Sequence, residues 1–283
     1  MHYSIVEADE YDRSFLQLFP DFACITSMDA DHLDIFGDHE NMKKAFVQFS
    51  KRVKQKVVVA QEVDLEGQSY GLEDNAPYYV QSIKVKEQGY LFDLVTPTQI
   101  YKDVYLKSMG RHNLSNAIGA LAILDVGGFP LEEALPALGT FKGIQRRMEV
   151  FSLENKIVID DYAHHPKEIK AVLKTISEFY PKKRNMVVFQ PHLFSRTQDF
   201  MEDFVDVLNQ FDEIVLMDIY PAREKPIEGV TSDVLLDLIQ NKNKRKISKE
   251  AFRSSIVNSE ADLILVLGAG DIGNYIQKLK KTA

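Results

Sequence analysis

Lys156-Ile157-Val158-Ile159-Asp160-Asp161-Tyr162-Ala163-His164-His165-Pro166 passes in one short stretch from an apolar run to a polar bend and a proline. A brief apolar run bounded by turn signals reads as a buried strand, here over 156–160. Proline suits the first helical turn, where its missing N–H is not needed, so a helix is expected over 167–179. The succession recurs downstream, with strands expected over 186–189, 213–217 and 263–267, and helices over 199–208, 232–239 and from Asp271 onward. Strands that alternate with helices imply right-handed crossovers and a mostly parallel sheet.

Upstream the pattern differs. Residues 3–8 (Tyr-Ser-Ile-Val-Glu-Ala) read as a buried strand with nothing ahead of it, which leads us to expect further residues before Met1. Short apolar runs at 23–26 and 57–60 are further strand candidates. Between them, residues 39–53 carry helical spacing, with Met42, Ala45, Phe46 and Phe49 on one face. Over 76–107 the pattern becomes alternating, as in Tyr90-Leu91-Phe92-Asp93-Leu94-Val95, and predicts two or three antiparallel strands outside the main sheet. Helices are expected over 113–126, stopped by Gly127-Gly128, and over 131–138 after Pro130. The boundary between two domains is expected near residues 143–147, giving 1–145 and 146–283.

Composition narrows the function. The 283 residues include 34 Lys+Arg against 42 Asp+Glu, for a net charge of −8, which argues against a general nucleic-acid binder. The single cysteine, Cys24, excludes an internal disulfide framework and fits a reducing compartment. No apolar run approaches the roughly 20 residues of a membrane span. A cytoplasmic globular protein is expected.

Polar groups at strand ends are the places to look for chemistry. Glu7 ends the first expected strand, and His32 follows the second within Asp29-Ala30-Asp31-His32-Leu33-Asp34. Carboxylate and imidazole donors of this kind could take Mg²⁺, and acidic turn and cap residues would look the same. Gly110-Arg111-His112-Asn113 precedes a helix; Asn113 or Ser115 could cap it, or the amide and imidazole could read a purine edge. Arg146-Arg147 falls at the expected domain junction, within reach of phosphates held by a neighbour. His164 and His165 are adjacent and diverge, so one is expected to hydrogen-bond a substrate and the other to pack. Gln190-Pro191-His192-Leu193-Phe194-Ser195-Arg196 occupies the corresponding end of the next strand, and the Arg196 fork would suit a carboxylate. Gly268-Ala269-Gly270-Asp271-Ile272-Gly273 has dinucleotide-loop spacing but lacks the following strand and acidic residue. These glycines are expected to close a tight turn over another ligand, and an oxidoreductase reading is weak.

Taken in order, Glu7-Ala8-Asp9-Glu10, Asp31-His32-Leu33-Asp34, Gly110-Arg111-His112-Asn113, Arg146-Arg147, Asp161-Tyr162-Ala163-His164-His165-Pro166, Phe189-Gln190-Pro191-His192 with Arg196, and Gly268-Ala269-Gly270 resemble the ATP-dependent Mur ligases, most of all their alanine-adding branch. The resemblance implies an α/β architecture: part of a central P-loop-type ATPase domain, followed by a Rossmann-like, mostly parallel C-terminal domain. It implies ATP and Mg²⁺ as cofactors, and UDP-N-acetylmuramate and L-alanine as substrates joined through an acyl phosphate. It further implies that Glu7 and His32 hold Mg²⁺, His112 and Asn113 meet adenine, Asp161 the ribose and Arg147 the phosphates. Tyr162, His164, His192 and Arg196 would surround the amino acid, with His32, Arg147, His164 and Arg196 as the catalytic set. Two departures stand out. The Gly-Lys-Thr/Ser phosphate loop of the family is absent from the 283 residues, so the chain by itself is expected to be inactive. Leu193 stands where relatives often carry arginine. The alternatives are a muropeptide-recycling ligase of the same family and a non-catalytic nucleotide-binding module.

Overall fold

A computed structural model describes residues 3–28 and 36–281. The chain divides into two compact units, Met1–Phe141 and Lys142–Ala283. In the first, strands β1 (Phe22–Ile25), β2 (Lys56–Ala60) and β3 (Gln68–Tyr70) pair in parallel in that order. Helix α1 (His39–Ser50) starts at Asp38, whose Oδ1 accepts from the Asn41 N–H at 2.7 Å. Its Met42, Ala45, Phe46 and Phe49 are buried, and Phe15 packs against both phenylalanines with ring centroids 5.1 and 5.0 Å away.

The alternating region forms a separate antiparallel sheet of β4 (Tyr79–Lys86), β5 (Gly89–Val95) and β6 (Ile100–Leu106). Tyr90, Phe92 and Leu94 turn to its buried face and Leu91, Asp93 and Val95 to the other, as a period of two requires. Helices α2 (Arg111–Val126) and α3 (Leu131–Thr140) follow, and Gly128 takes the left-handed φ of +77° after the first. Residues 3–8 are not the buried strand expected: Ile5 is fully exposed and Val6 largely so. No described strand lies beside them to pair their backbone groups, and an unpaired backbone is not buried.

The second unit holds β7 (Glu149–Leu153), β8 (Lys156–Asp161), β9 (Asn185–Phe189), β10 (Glu213–Leu216), β11 (Lys244–Lys246) and β12 (Leu263–Leu267) in one sheet of order β11-β10-β9-β12-β8-β7. All neighbours are parallel except the edge strand β7. The chain steps outward from β8 through β9 and β10 to β11, then returns to insert β12 between β8 and β9. Its helices are α4 (Pro166–Phe179), α5 (Phe194–Asp199), α6 (Met201–Leu208), α7 (Ser232–Leu238), α8 (Phe252–Val257) and α9 (Ile272–Lys280). Val158, Met186, Val188, Val215, Ile264 and Val266 meet Phe252, Ile256, Ile272, Ile276 and Leu279 on one face. On the other, Phe189 meets Phe204 at 5.4 Å, and α4, α6 and α7 pack in succession. The helix expected over 199–208 is α6, and a further short helix, α5, precedes it across Phe200, which has non-helical backbone angles. Among the described residues no helix is long and apolar enough to cross a membrane.

Candidate functional site

Because β10, β9, β12 and β8 are parallel neighbours, the loops after them leave one edge of the sheet. The loops after β9 and β10 run side by side: Met217 N–H donates to Phe189 O, Tyr220 N–H to Pro191 O, and Leu193 N–H to Tyr220 O, at 2.8–2.9 Å. The loop after β8 is fixed differently. Glu168 Oε2 accepts the N–H groups of His164 (2.8 Å) and His165 (3.1 Å), and His165 Nδ1 accepts from Lys167 N–H, so the bend is capped from both sides.

Along this edge lies a row of rings. Tyr162 meets His164 edge-on at 5.3 Å, His164 meets His192 at 5.9 Å, and His192 stacks on Tyr220 at 5.7 Å. His165 turns away and packs on Phe200 at 4.4 Å. Arg196 Nη1 donates to His192 Nδ1 at 3.4 Å, which leaves the neutral ring's proton on Nε2 as a donor. His164 Nδ1 donates to the Tyr162 carbonyl at 3.0 Å, which in the neutral ring puts the lone pair on Nε2. Burial, then the charges of His164 and Arg196, push the His192 pKa down to about 4, so it is neutral at pH 7. A guanidinium beside a neutral imidazole donor is a fitting receptor for a small carboxylate.

The glycine loop after β12 is filled by the protein itself. Gly268 has φ +142°, and a Cβ there would lie 2.7 Å from the Gln190 carbonyl oxygen. A Cβ on Gly270 would meet Gln190 Oε1 at 2.5 Å and Tyr220 Cβ at 2.7 Å, and one on Gly273 would meet Arg146 Nη1 at 2.7 Å. Gln190 Oε1 accepts the Ile272 N–H while its Nε2 donates to Asp271 Oδ1. The glycines therefore admit the close approach of Gln190, Tyr220 and Arg146.

The two arginines at 146 and 147 divide the work. Arg146 donates to the Gly268 carbonyl, pairs with Asp160 at 3.6 Å and lies over the Tyr162 ring at 4.9 Å. Arg147 is exposed, with its guanidinium 5.6 Å from the same ring centre. Asp161, expected at a ribose, is buried, and its oxygens accept the N–H groups of Met148 and Ala163, each at 2.8 Å. That carboxylate braces the chain entering and leaving β8, so it is directed inward. Burial raises its pKa against the opposing pull of those two amides and of Arg147.

In the first unit, His112 and Asn113 lie in the first turn of α2. His112 is exposed with its ring against Gly110, and Asn113 Nδ2 donates to Met109 O at 2.7 Å. Neither Asn113 nor Ser115 caps the helix: Gly110 is the N-cap residue. Glu7 is exposed in an irregular stretch, and His32 lies outside the described residues, as do Asp29, Asp31 and Asp34. Among the described residues no three His, Cys, Asp or Glu side chains gather as a metal site would require. The described residues do not by themselves build the Mg²⁺ site.

Glu224 was not singled out from sequence, and Gln190 and Ser195 were given no role within the segment that was. Glu224 Oε1 and Oε2 accept from Ser195 Oγ (2.5 Å) and Ser195 N–H (3.0 Å). A pairing across 29 residues leaves no local spacing to read.

The sequence matches the Mur ligase middle domain over residues 1–124 and the Mur ligase glutamate ligase domain over 146–270. It is 48% identical over 281 residues to the UDP-N-acetylmuramate–L-alanine ligase of Flavobacterium psychrophilum, covering 98% of this chain and 63% of that protein. With the ligase of the same name from Christiangramia forsetii it shares 48% over 280 residues, covering 98% and 62%. The chain thus spans a little under two thirds of the curated relatives it matches. Among solved structures, the Thermotoga maritima UDP-N-acetylmuramate–alanine ligase MurC superposes with a TM-score of 0.82 at 26% identity, over 97% of this chain and 62% of that one. MurF ligase from T. maritima in complex with ADP shares the fold, with a TM-score of 0.71 at 15% identity over 96% and 65%. Middle domain, glutamate ligase domain and mixed α/β architecture agree, and the chain belongs to the Mur ligase family.

Proposed function

We propose that this chain is the middle and C-terminal part of a cytoplasmic ligase that joins L-alanine to UDP-N-acetylmuramate at the expense of ATP, a step of peptidoglycan precursor synthesis. The observation that carries the reading is the row at the ends of β8 and β9, where the rings of Tyr162, His164 and His192 follow one another and the Arg196 guanidinium meets His192. The printed names of the relatives at 48% identity support it. When bound, ATP with Mg²⁺ supplies the phosphoryl group that turns the sugar carboxylate into an acyl phosphate. Arg196 and the His192 Nε2–H then hold the carboxylate of the amino acid and leave its amine as nucleophile. Attack forms the C–N bond, and collapse of the tetrahedral carbon breaks the C–O bond to phosphate. The proton released from nitrogen needs an acceptor, and the His164 Nε2 lone pair is the one in the row. Exposed Arg147 suits phosphate, while His112 and Asn113 remain the adenine candidates and Glu7 with His32 the Mg²⁺ candidates.

The test is phosphate release by the protein that carries this chain, given ATP, Mg²⁺ and UDP-N-acetylmuramate. Release that depends on L-alanine, with the amide product seen by mass spectrometry, supports the reading. Release without an amino acid, or only with a peptide, overturns the choice of alanine. Arg196→Gln is expected to raise the KM for alanine on the order of 100-fold and leave that for ATP nearly unchanged, since a charged hydrogen-bonded contact is lost.

A further inference from the structure

Leu193 has φ +71° and ψ +137°, a backbone region that side chains other than glycine rarely enter. It is the N-cap residue of α5 and has no side-chain oxygen to satisfy the free N–H groups of the first turn. Those groups are satisfied from another loop. Glu224 accepts from both Ser195 N–H and Ser195 Oγ. Tyr220, four residues earlier in that loop, takes the Leu193 N–H, and its ring stacks on His192. Arg196 is the next residue after the clamped Ser195 and reaches back to His192.

We propose that Glu224 is a positioning residue for the amino-acid site: its carboxylate caps α5 from a neighbouring loop, holds the strained Leu193 turn, and so sets Arg196 beside His192. The proposal rests on the ligase reading above. A bare carboxylate near Arg196 would compete with the amino acid for the guanidinium and repel it. Here the Ser195 amide and hydroxyl already occupy the two carboxylate oxygens, so it can hold the turn without claiming the arginine. The charge is consistent with this duty. Burial raises the Glu224 pKa, but the Ser195 hydroxyl and amide, the Phe194 amide and the Arg196 charge outweigh that and hold it below the usual carboxylate range.

A double-mutant cycle in the protein that carries this chain separates a clamp from a merely stabilising contact. Glu224→Ala, with Glu224→Gln as the milder change, is combined with Leu193→Gly. The readouts are KM for alanine against KM for ATP, and hydrogen exchange of the backbone amides of residues 194–197. Glu224→Ala is expected to raise the alanine KM about 30-fold, to change the ATP KM less than about twofold, and to speed exchange at 194–196 by a similar factor. With glycine at 193 the turn is unstrained, and both effects of Glu224→Ala should shrink at least about fivefold. Equal effects in the two backgrounds, parallel rises in both KM values, or unchanged exchange would each overturn the proposal. If the unmodified protein shows no alanine-dependent phosphate release, the ligase reading fails. The exchange cycle then decides the clamp by itself: acceleration that depends on Leu193 sustains it, and uniform exchange rejects it.

Discussion

His192 shows how much of the site is a matter of one proton. Its ring is half-buried, stacked on Tyr220 and faced by Arg196 and His164, and its pKa falls to about 4. Since the ordinary value is 6.5, the unfolded chain takes up this proton first as pH falls. His192 therefore costs no stability above pH 6.5 and destabilises the native state increasingly between 6.5 and 4. Its ring-proton NMR shift should titrate near pH 4, and Arg196→Gln should move the midpoint upward by removing a neighbouring positive charge. A midpoint that stays put in the variant would separate the two side chains. Lys280 makes the opposite case, a charge that cannot be spared. It pairs with buried Asp160 at 3.1 Å and with Glu149 at 2.7 Å. Lys280→Met should cost about 3 kcal/mol of unfolding free energy in urea at pH 7, because a buried carboxylate loses the nearer of its two cationic partners and keeps only Arg146. Burial already raises the Asp160 pKa. The deficit should be smaller at pH 5 than at pH 7, because a raised pKa lets protonation relieve the unpaired charge as pH falls. An equal deficit at both pH values would contradict this. Sequence pointed to His192 and Arg196 through their place after a strand. It could not reveal that the Asp161 oxygens accept two backbone amides, because a carboxylate at a strand end reads the same with or without them.

At the scale of elements, the glycine loop after β12 offers a graded test. Gly268→Ala combines φ +142° with a backbone clash and should cost about 3 kcal/mol or more. Gly270→Ala and Gly273→Ala meet side-chain ends, Gln190 and Arg146, as well as Tyr220, and should cost about 1–3 kcal/mol. Gly229→Ala has φ +78° with open space around it and should cost about 1 kcal/mol. Urea denaturation of the four variants should give that order, and an equal cost at all four would show the close approaches to be immaterial. The βα alternation of the second half was legible because strands buried on both faces are continuous apolar runs, as in β8, β9 and β12. Strands β3 and β11 were not, being three residues each, with Lys244-Arg245-Lys246 wholly basic at a sheet edge. Edge strand β7 was missed for a related reason: most of its residues are only partly buried, so it makes no apolar run. Tyr3-Ser4-Ile5-Val6 failed in the other direction, since an apolar run is a strand only where a neighbour pairs with it.

At the scale of the whole molecule, the two units differ in how their sheets are covered. Leu263 to Leu267 of β12 are buried throughout, paired on both sides and packed on both faces. In the first unit the parallel sheet has only three described strands, β1 is half-buried in alternation, and Tyr3, Ile5 and Val6 stand exposed. Protection from hydrogen exchange follows burial and pairing, because an amide exchanges only when its hydrogen bond opens. Native-state exchange should therefore find the slowest amides in β8, β9 and β12, with β1 and β3 opening at lower free energy. Denaturant should bring the first unit's amides to the exchange limit before those of β12, because each unit has its own core. A single free energy shared by β1, β2, β9 and β12 would mean that the two units unfold as one cooperative body.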